Sequence, residues 1–304
     1  MTIHQGMLTP AEEKMAEGGE VGIGLSRGEL LRDMFWGGRL GRIGTVTIVF
    51  IVLFCFVGPL IYRTNQVQAD MELIVKAPSS QHLLGTDGNG FDELGQLMLG
   101  GQSALEIGLA SAFLASVFGA LYGAIAGYLG GFWDALLMRI VDTMLAVPGL
   151  LLLLLLAVIW SDSAPALIVI LGLFAWLAPA RLVRGETLTL RTREYVQAAR
   201  LVGAGNMRIV VRHIVPNAIG TIVVNTTFQI ADAILALASL SFLGLGPPPP
   251  AVNWGGILSD GSDYLVDGAW WLVYPAGVAI VLTVIAFNFL GEGIEEALGV
   301  RART

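Results

Sequence analysis

Charged residues are scarce in this sequence. Only 13% of its 304 residues are Asp, Glu, Lys or Arg, whereas 55% are hydrophobic, and the mean hydropathy is +0.73. Soluble domains carry about a quarter charged residues, and a chain this apolar has too few polar side chains to cover a surface that faces water. The composition therefore excludes a soluble protein and predicts an integral membrane protein, whose solvent is the lipid bilayer.

Lysine and cysteine are nearly absent. Neither of the two lysines, Lys14 and Lys76, stands in a Gly-Lys-Ser/Thr phosphate loop, so the chain is not expected to hydrolyse ATP by a Walker mechanism. The single cysteine, Cys55, allows no internal disulfide and no cysteine metal cluster; inside its apolar run it is expected to be a small buried residue. A net charge of −7, without a basic stripe, argues against nucleic-acid binding.

Six apolar stretches are long enough to cross a bilayer as helices, which takes roughly 20 residues each. They lie at about 43–62, 107–130, 134–160, 165–183, 217–245 and 270–290. The first follows an acidic segment and precedes no small-x-small cleavage site, so it is interpreted as a retained span and not as a signal peptide. We therefore expect an all-α polytopic membrane protein with six transmembrane helices.

The distribution of arginines predicts the orientation. Arginines precede the first span, crowd the connection between the fourth and fifth spans, and end the chain, whereas the opposite loops contain many carboxylates and only Arg63 and Lys76 as basic residues. By the positive-inside rule the arginine-rich segments are cytoplasmic, so both termini are expected there. A five- or seven-span count would place one arginine cluster outside the cell.

This topology divides the chain into regions. They are a cytoplasmic amino-terminal segment (1–42), a first transmembrane helix (43–62), an extracytoplasmic loop (63–104), a five-helix transmembrane domain (105–290) with a cytoplasmic loop (184–216), and a cytoplasmic tail (291–304). A second outward segment, 246–269, contains the four prolines 247–250. Because consecutive prolines form a stiff extended piece, we interpret them as a rigid spacer.

Glycine and proline suggest how the spans pack. Gly119, Gly123 and Gly127 lie four residues apart in the second span, a small-xxx-small pattern that lets another helix approach closely. Pro148-Gly149 in the third span predicts a kink.

Ionisable and polar residues within spans are costly and mark either pairing or function. Asp142 follows Arg139 by three positions, so we expect the two to form an ion pair on one helix face. The fifth span carries a polar stripe at helical spacing, which either lines a water-filled path, our working hypothesis, or hydrogen-bonds neighbouring helices. Its members are Thr221, Asn225, Gln229, Asp232 and Ser239.

The arginine-rich loop predicts two short helices. Glu194 to Val202 favours a helix, Gly203 suits a left-handed C-cap, Asn206 to Ile214 favours a second amphipathic helix, and Pro216 marks the entry to the fifth span. Two helices that project from membrane spans suit docking to another protein. The alternative is an interfacial helix attracted to anionic lipid.

This loop resembles the EAA loop of ABC-importer permeases, in which Glu-Ala-Ala is followed by a glycine and, thirteen positions later, by a proline. Gln197-Ala198-Ala199 stands at the triplet, with Gln197 in place of the glutamate, and Gly203 and Pro216 have the matching spacing. The resemblance implies an ATPase-coupling loop that includes Glu194, Tyr195, Gln197, Ala198, Ala199, Gly203, Arg212, His213, Pro216 and Asn217.

Other segments resemble the C-type subunits of the dipeptide, oligopeptide and nickel permeases within this group. They are His82–Asp92, Asp142–Gly149, Leu240–Gly246 and Trp254-Gly255. The chain departs from that pattern at Phe91, Gln96 and Gln102, where relatives commonly carry arginines, and at Leu237, where an acidic residue is frequent. These departures leave the architecture intact and the solute class open.

The resemblance implies the transmembrane subunit of an ATP-driven importer for di- or oligopeptides, with a type I permease fold, in the inner membrane of a prokaryote. Expected partners are a homologous second permease, two ABC ATPase subunits, an extracytoplasmic solute-binding protein and the bilayer. No cofactor or metal is expected in this chain, and ATP and Mg²⁺ would bind the ATPases.

Two alternatives stay open at this point. One is a permease for nickel or a metal chelate, although His4, His82 and His213 all lie outside the spans. The other is a self-sufficient secondary transporter, which needs an inverted repeat and ion-coupling residues; the sequence shows no internal repeat, and its only coupling candidates are Asp142 and Asp232. A membrane enzyme is disfavoured because the spans contain no catalytic constellation.

Overall fold

The computed structural model describes residues 35, 38–64, 69–160 and 163–299. Most of the predicted amino-terminal segment 1–42 and the end of the tail 291–304 therefore lie outside the described residues. Within the described residues the regular elements are all helical, which confirms the predicted all-α class.

The helices fall into twelve α-helical segments among the described residues. In chain order they are α1 (Arg39–Phe56), α2 (Gly58–Ile61), α3 (Glu93–Leu129), α4 (Gly131–Leu145), α5 (Gly149–Trp160), α6 (Ala164–Ala175), α7 (Leu177–Leu190), α8 (Glu194–Leu201), α9 (Asn206–Ile209), α10 (Ile219–Phe242), α11 (Trp254–Ser262) and α12 (Tyr274–Gly299). A π-helical turn, Val210–Ile214, continues α9, and 3₁₀ turns span Met71–Leu73 and Trp270–Leu272.

Four segments are long and apolar enough to cross a membrane: Arg39–Ile61, Glu93–Leu129, Ile219–Phe242 and Trp270–Leu298. Two more qualify only as bent pairs, α4 with α5 at 81° and α6 with α7 at 43°. By length and composition the described residues thus contain four spans, or up to six if each bent pair is one span.

The third predicted span contains a break much sharper than a kink. α4 ends at Leu145, and α5 begins at Gly149, directly after Pro148. Proline has no N–H to continue the helical hydrogen bonds and its ring clashes with the preceding turn. The predicted position is therefore right, but the two halves lie nearly perpendicular to each other.

Two helices begin or lie inside segments predicted as loops. α3 begins at Glu93, whereas the predicted span begins at 107, so residues 93–104 are helical and not part of a loop. The Asp92 carboxylate caps this helix by accepting the Gly95 N–H at 2.9 Å. α11 lies within the predicted outward segment and is capped in the same way by Asn253, which accepts the Gly256 N–H at 3.0 Å. The start of α3 and the whole of α11 contain many small and polar residues. Their mean hydropathy is therefore too low for a hydropathy window to detect them as helices.

α3 is the central helix and contacts α1, α6, α7 and α10. Around its amino-terminal half, Cys55, Leu105, Ile234 and Trp254 belong to one buried cluster, and Cys55 is fully buried as predicted. A second buried cluster lies at the other end of α3 and is called the carboxyl-end cluster below. Its members are Ala120, Ala124, Tyr128, Val183, Leu190, Val196, Ile209, Val210, Ile214 and Ala218.

The three glycines four residues apart face α7 at very short range. A Cβ on Gly119 would lie 2.6 Å from the Trp176 carbonyl oxygen, and one on Gly127 would lie 2.9 Å from that of Arg184. A Cβ on Gly123 would collide with the Ala180 carbonyl oxygen. Only glycine allows α3 and α7 to approach this closely, as the small-xxx-small pattern implies.

The predicted ion pair between Arg139 and Asp142 is wrong. Asp142 instead accepts hydrogen bonds from Arg181 of α7, with Nε at 3.1 Å from Oδ1. Arg184 binds Asp134 through both carboxylate oxygens, at 2.9 and 2.6 Å. α7 packs beside α4, so its guanidinium groups reach both carboxylates, and the Arg184–Asp134 pair has the two-oxygen fork geometry.

Candidate functional sites at the two ends of helix α3

The loop at the carboxyl end of α3 has the predicted helix–break–helix form. α8 covers Glu194–Leu201, and α9 with its π-helical turn covers Asn206–Ile214. Gly203 has φ +83°. Its N–H donates to the Arg200 carbonyl at 3.0 Å, and the Ala204 N–H donates to the Ala199 carbonyl at 3.0 Å. These two bonds are the Schellman C-cap, which local sequence is sufficient to predict.

The inner face of the loop is packed onto the membrane helices. Val196, Ile209 and Ile214 are fully buried in the carboxyl-end cluster. Ala199 and Ala204 are partly buried and pack against the same cluster. Ala199, which the resemblance includes in the ATPase-coupling loop, thus faces inward. Ala198 is exposed instead.

The outer face of the loop exposes apolar side chains. Leu201 is 88% and Val202 is 84% exposed, and Met207 and Val211 are 59% and 51% exposed. We call these four residues the coupling patch. Contiguous exposed apolar side chains with a polar surround mark interaction surfaces. Sequence reasoning missed them, although the apolar pair immediately before Gly203 was the available signal.

Polar contacts attach the loop to the end of α3. The Arg200 guanidinium carbon lies 5.2 Å from the centre of the Tyr128 ring, within the range of a cation–π contact. Arg191 Nη1 donates to the Gly127 carbonyl at 2.9 Å. The loop is therefore attached to α3 through both packing and directed polar contacts.

The other predicted coupling residues lie on the same loop. Gln197 Nε2 donates to the Thr192 carbonyl at 3.0 Å, and Asn217 Nδ2 donates to the His213 carbonyl at 2.6 Å. The rings of Tyr195 and His213 lie 6.5 Å apart. Glu194, Ala198, Arg212 and Pro216 are exposed, as are Tyr195, Gln197 and Asn217, whereas His213 is half-buried.

On α10, the centre of the polar stripe holds helices together. Gln229 is 6% exposed, and its Nε2 donates to the Ala175 carbonyl at 2.6 Å. That carbonyl lies four residues before Pro179, which has no N–H to offer it. The Gln229 amide therefore supplies the hydrogen bond missing at the break between α6 and α7, as polar side chains do at proline breaks in membrane helices.

The remaining stripe residues have different surroundings. Asp232 is exposed, and Thr221 and Ser239 are half-buried. Ser239 donates to the Leu235 carbonyl of its own helix at 2.8 Å. Asn225 Oδ1 is buried and has no hydrogen-bond partner within the described part of the chain. The stripe is thus not one uniform surface, and the path hypothesis depends chiefly on Asp232.

At the amino end of α3, the His82–Asp92 segment forms a closed hydrogen-bonded turn. Asp92 is fully buried; its Oδ2 lies 2.8 Å from His82 Nδ1 and accepts the Tyr62 hydroxyl at 3.0 Å. Asp87 Oδ1 accepts the N–H groups of Asn89 and Phe91 at 2.9 and 2.8 Å. The motif residues therefore position the start of α3.

A cavity of about 560 Å³ lies beside that turn, between residues 87–99 and residues 249–264, with Leu272. Pro249 and Pro250 form part of its wall, so the proline run is more than a spacer. Burial raises the pKa of Asp87 above its ordinary value. Burial also raises the pKa of Asp260, and the carboxylates of Asp87 and Asp263 raise it further.

Comparison with known proteins identifies the family. Residues 119–304 match the family described as "binding-protein-dependent transport system inner membrane component". This chain belongs to that family. It is therefore an inner-membrane transport component with several apolar helices.

Relatives of this permease match it along most of its length. It is 34% identical over 271 residues to the oligopeptide transport system permease protein OppC of Haemophilus influenzae, covering 88% of this chain and 87% of the relative. It is 36% identical over 309 residues to OppC of Bacillus subtilis, covering 99% of each. It is 34% identical to the dipeptide transport system permease protein DppC of that organism, covering 87% of this chain and 83% of the relative. These similarities confirm the family resemblance that the motifs predict.

Proposed function

We propose that this permease is the C-type transmembrane subunit of an ATP-driven peptide importer. The named functions of its relatives support peptides as the solute class. Each bent helix pair would count as one span, giving six, and the arginine-rich end would be cytoplasmic by the positive-inside rule. In that orientation the coupling loop 194–216 faces the cytoplasm, as do both termini.

The coupling loop carries the mechanistic part of the proposal. Its inner face is part of the carboxyl-end cluster, together with residues of α3 and α7, while its outer face exposes the coupling patch. An ATPase that holds the patch can therefore move α3 and α7 through a well-packed interior, which transmits displacement because it is close-packed. ATP-driven closure of two ATPases would shift the spans between inward- and outward-open states.

The proposed complex divides the work among several chains. A homologous second permease would complete the translocation path, and a solute-binding protein would deliver peptide from the opposite side. ATP and Mg²⁺ would bind the ATPases, so this subunit would contribute no catalytic residue. Asp232 is our candidate for contact with the solute, because it is the exposed carboxylate of the polar stripe.

Introduction of a charge at an exposed apolar residue tests this function. We expect Leu201→Asp to abolish copurification of the ATPases and peptide-stimulated ATP hydrolysis, because a carboxylate would have to be buried at the interface. Val266→Asp is the matched control, since Val266 is 95% exposed but belongs to the segment beside the cavity. Normal ATPase association in Leu201→Asp would contradict the proposal. Import of labelled alanyl-alanine, compared with nickel, by the unmodified complex tests the solute class separately.

A further inference from the structure

Two consecutive carboxylates at the start of α3 have opposite surroundings. Asp92 is fully buried and its two oxygens are occupied by the Gly95 N–H, His82 and Tyr62. Glu93 is equally inaccessible, at 1% exposure, yet its Oε1 has no hydrogen-bond partner in the part of the chain that the structure describes. An unpartnered buried carboxylate oxygen is costly, so this oxygen calls for a hydrogen-bond donor other than the described residues.

Glu93 lines the cavity of about 560 Å³ described above. This volume lies within the range of small-molecule sites, roughly 300–1,000 Å³. Three other carboxylates, those of Asp87, Asp260 and Asp263, also line it, and the described residues of the wall include no lysine, arginine or histidine. A cleft whose charges all have one sign concentrates counter-ions of the opposite sign.

The carboxylates of this cavity are held together at an energetic cost. Burial raises the pKa of Asp87 and of Asp260, and the carboxylates of Asp87 and Asp263 raise that of Asp260 further. A bound cation relieves this repulsion and gives the free Glu93 oxygen a charge-assisted hydrogen bond, the stronger kind in proteins. The free Glu93 oxygen and the clustered carboxylates thus both favour a cation as the ligand.

The chemistry of the wall favours an organic cation over a metal ion. In the described residues, no group of three or more His, Cys, Asp or Glu side chains is arranged to hold a metal. The wall instead contains apolar side chains as well as the acidic groups, including Phe91, Leu99 and Ile257. Such a mixture suits a ligand with an ammonium group at one end and an apolar body.

We propose that this cavity is a binding site for small organic ammonium ions, in which Glu93 accepts a hydrogen bond from the ammonium group. In the importer this ligand is the ammonium group at the amino end of the peptide solute. This part of the proposal rests on the proposed function. With the arginine-rich end in the cytoplasm, the cavity opens on the side from which solute arrives.

Thiol labelling of the full-length permease in lipid nanodiscs tests the site without requiring transport. Asn89 is exposed and lines the cavity, so Asn89→Cys places a reactive thiol in it, while the native Cys55 is fully buried. The probes are an ethylammonium methanethiosulfonate and its sulfonate analogue. The rate at which each probe labels the protein is divided by its rate of reaction with a free thiol. We expect the cationic probe to react at least about tenfold faster, because acidic clefts raise local cation concentration by roughly 10- to 1,000-fold.

Variants then assign the preference to the cavity. Adding Glu93→Gln, which keeps the shape of the side chain, should reduce the rate ratio several-fold, and Asp260→Asn should act in the same direction. The control is Asp267→Asn, an exposed carboxylate of the same segment that does not line the cavity, which should leave the ratio nearly unchanged. A ratio that neither Glu93→Gln nor Asp260→Asn lowers would overturn the proposal.

Protection by solute separates this proposal from the proposed function. Alanyl-alanine should slow labelling of Asn89→Cys in a concentration-dependent way, whereas N-acetyl-alanyl-alanine, which lacks the ammonium group, should not. Equal protection by the two peptides would overturn the role of the ammonium group. If the complex imports no peptide but the rate ratio still depends on Glu93, the proposed function fails and the cation site stands.

Discussion

The two ends of α3 present opposite chemistry. At its carboxyl end, Arg191 and Arg200 contact α3 and apolar side chains such as Leu201 and Val202 are exposed. At its amino end, apolar residues such as Leu105 and Trp254 are packed in a buried cluster, and carboxylates line a cavity in which one Glu93 oxygen has no partner among the described residues. This difference is what the two proposals explain: in them, one end is held by the surface of an ATPase and the other receives a small charged solute.

The glycine contact holds α3 closely against α7 next to the carboxyl-end cluster, so its disruption should have the largest effect. Gly123→Val would drive a side chain into the Ala180 carbonyl, and overpacking typically costs about 1–3 kcal/mol. We expect a lower thermal unfolding temperature in detergent, followed by intrinsic tryptophan fluorescence, and loss of peptide-stimulated ATPase activity. Gly185→Val on α7 is the control, because a Cβ there meets no atom within 4 Å. Equal stability of the two variants would contradict the account.

The next effect concerns the carboxyl end alone. Gly203→Val should cost about 1–2 kcal/mol from the left-handed backbone while leaving the spans inserted, because the loop contributes nothing to their hydrophobicity. We expect weaker ATPase association or ATP hydrolysis uncoupled from transport, measured by copurification and by solute-stimulated ATPase activity in proteoliposomes. Gly205→Val provides the comparison, since Gly205 has φ −67° and open space around its Cβ position. Normal coupling in Gly203→Val would show that the loop is not the coupling element.

The smallest effect separates two residues of the polar stripe. Gln229→Leu leaves the Ala175 carbonyl unpaired and should lower thermal stability modestly, since such contacts in membranes average about 0.6 kcal/mol. Asp232→Asn should instead alter peptide transport while the complex assembles normally. Unchanged transport by a well-assembled Asp232→Leu complex would remove Asp232 from the path.

Features that depend on neighbouring residues could be predicted from the sequence. The Schellman cap involves only residues between Ala199 and Ala204, and the helix break follows directly from Pro148. Each of these depends on backbone chemistry within one or two turns. The family motifs predicted membership of the permease family, which the relatives confirm, while the coupling role of the loop stays a prediction.

Features that join distant residues could not be predicted. Asp142 binds Arg181 and not the nearby Arg139, and Gln229 compensates for Pro179 across two helices. The cavity brings Asp87 and Glu93 to the distant Asp260. Single-sequence periodicity identifies which residues share a helix face, but helix packing decides which helix that face meets.

Cross-linking of the assembled importer tests the contrast between the two ends most directly. Leu201→Cys and Val266→Cys introduce exposed thiols at the coupling patch and beside the cavity, and the fully buried Cys55 gives a low background. With a short bis-maleimide, we expect Leu201→Cys to form a covalent adduct with an ATPase carrying an accessible cysteine, and Val266→Cys to form none. An active importer in which Leu201→Cys yields no ATPase adduct, or Val266→Cys yields one, would contradict the assignment of the two ends.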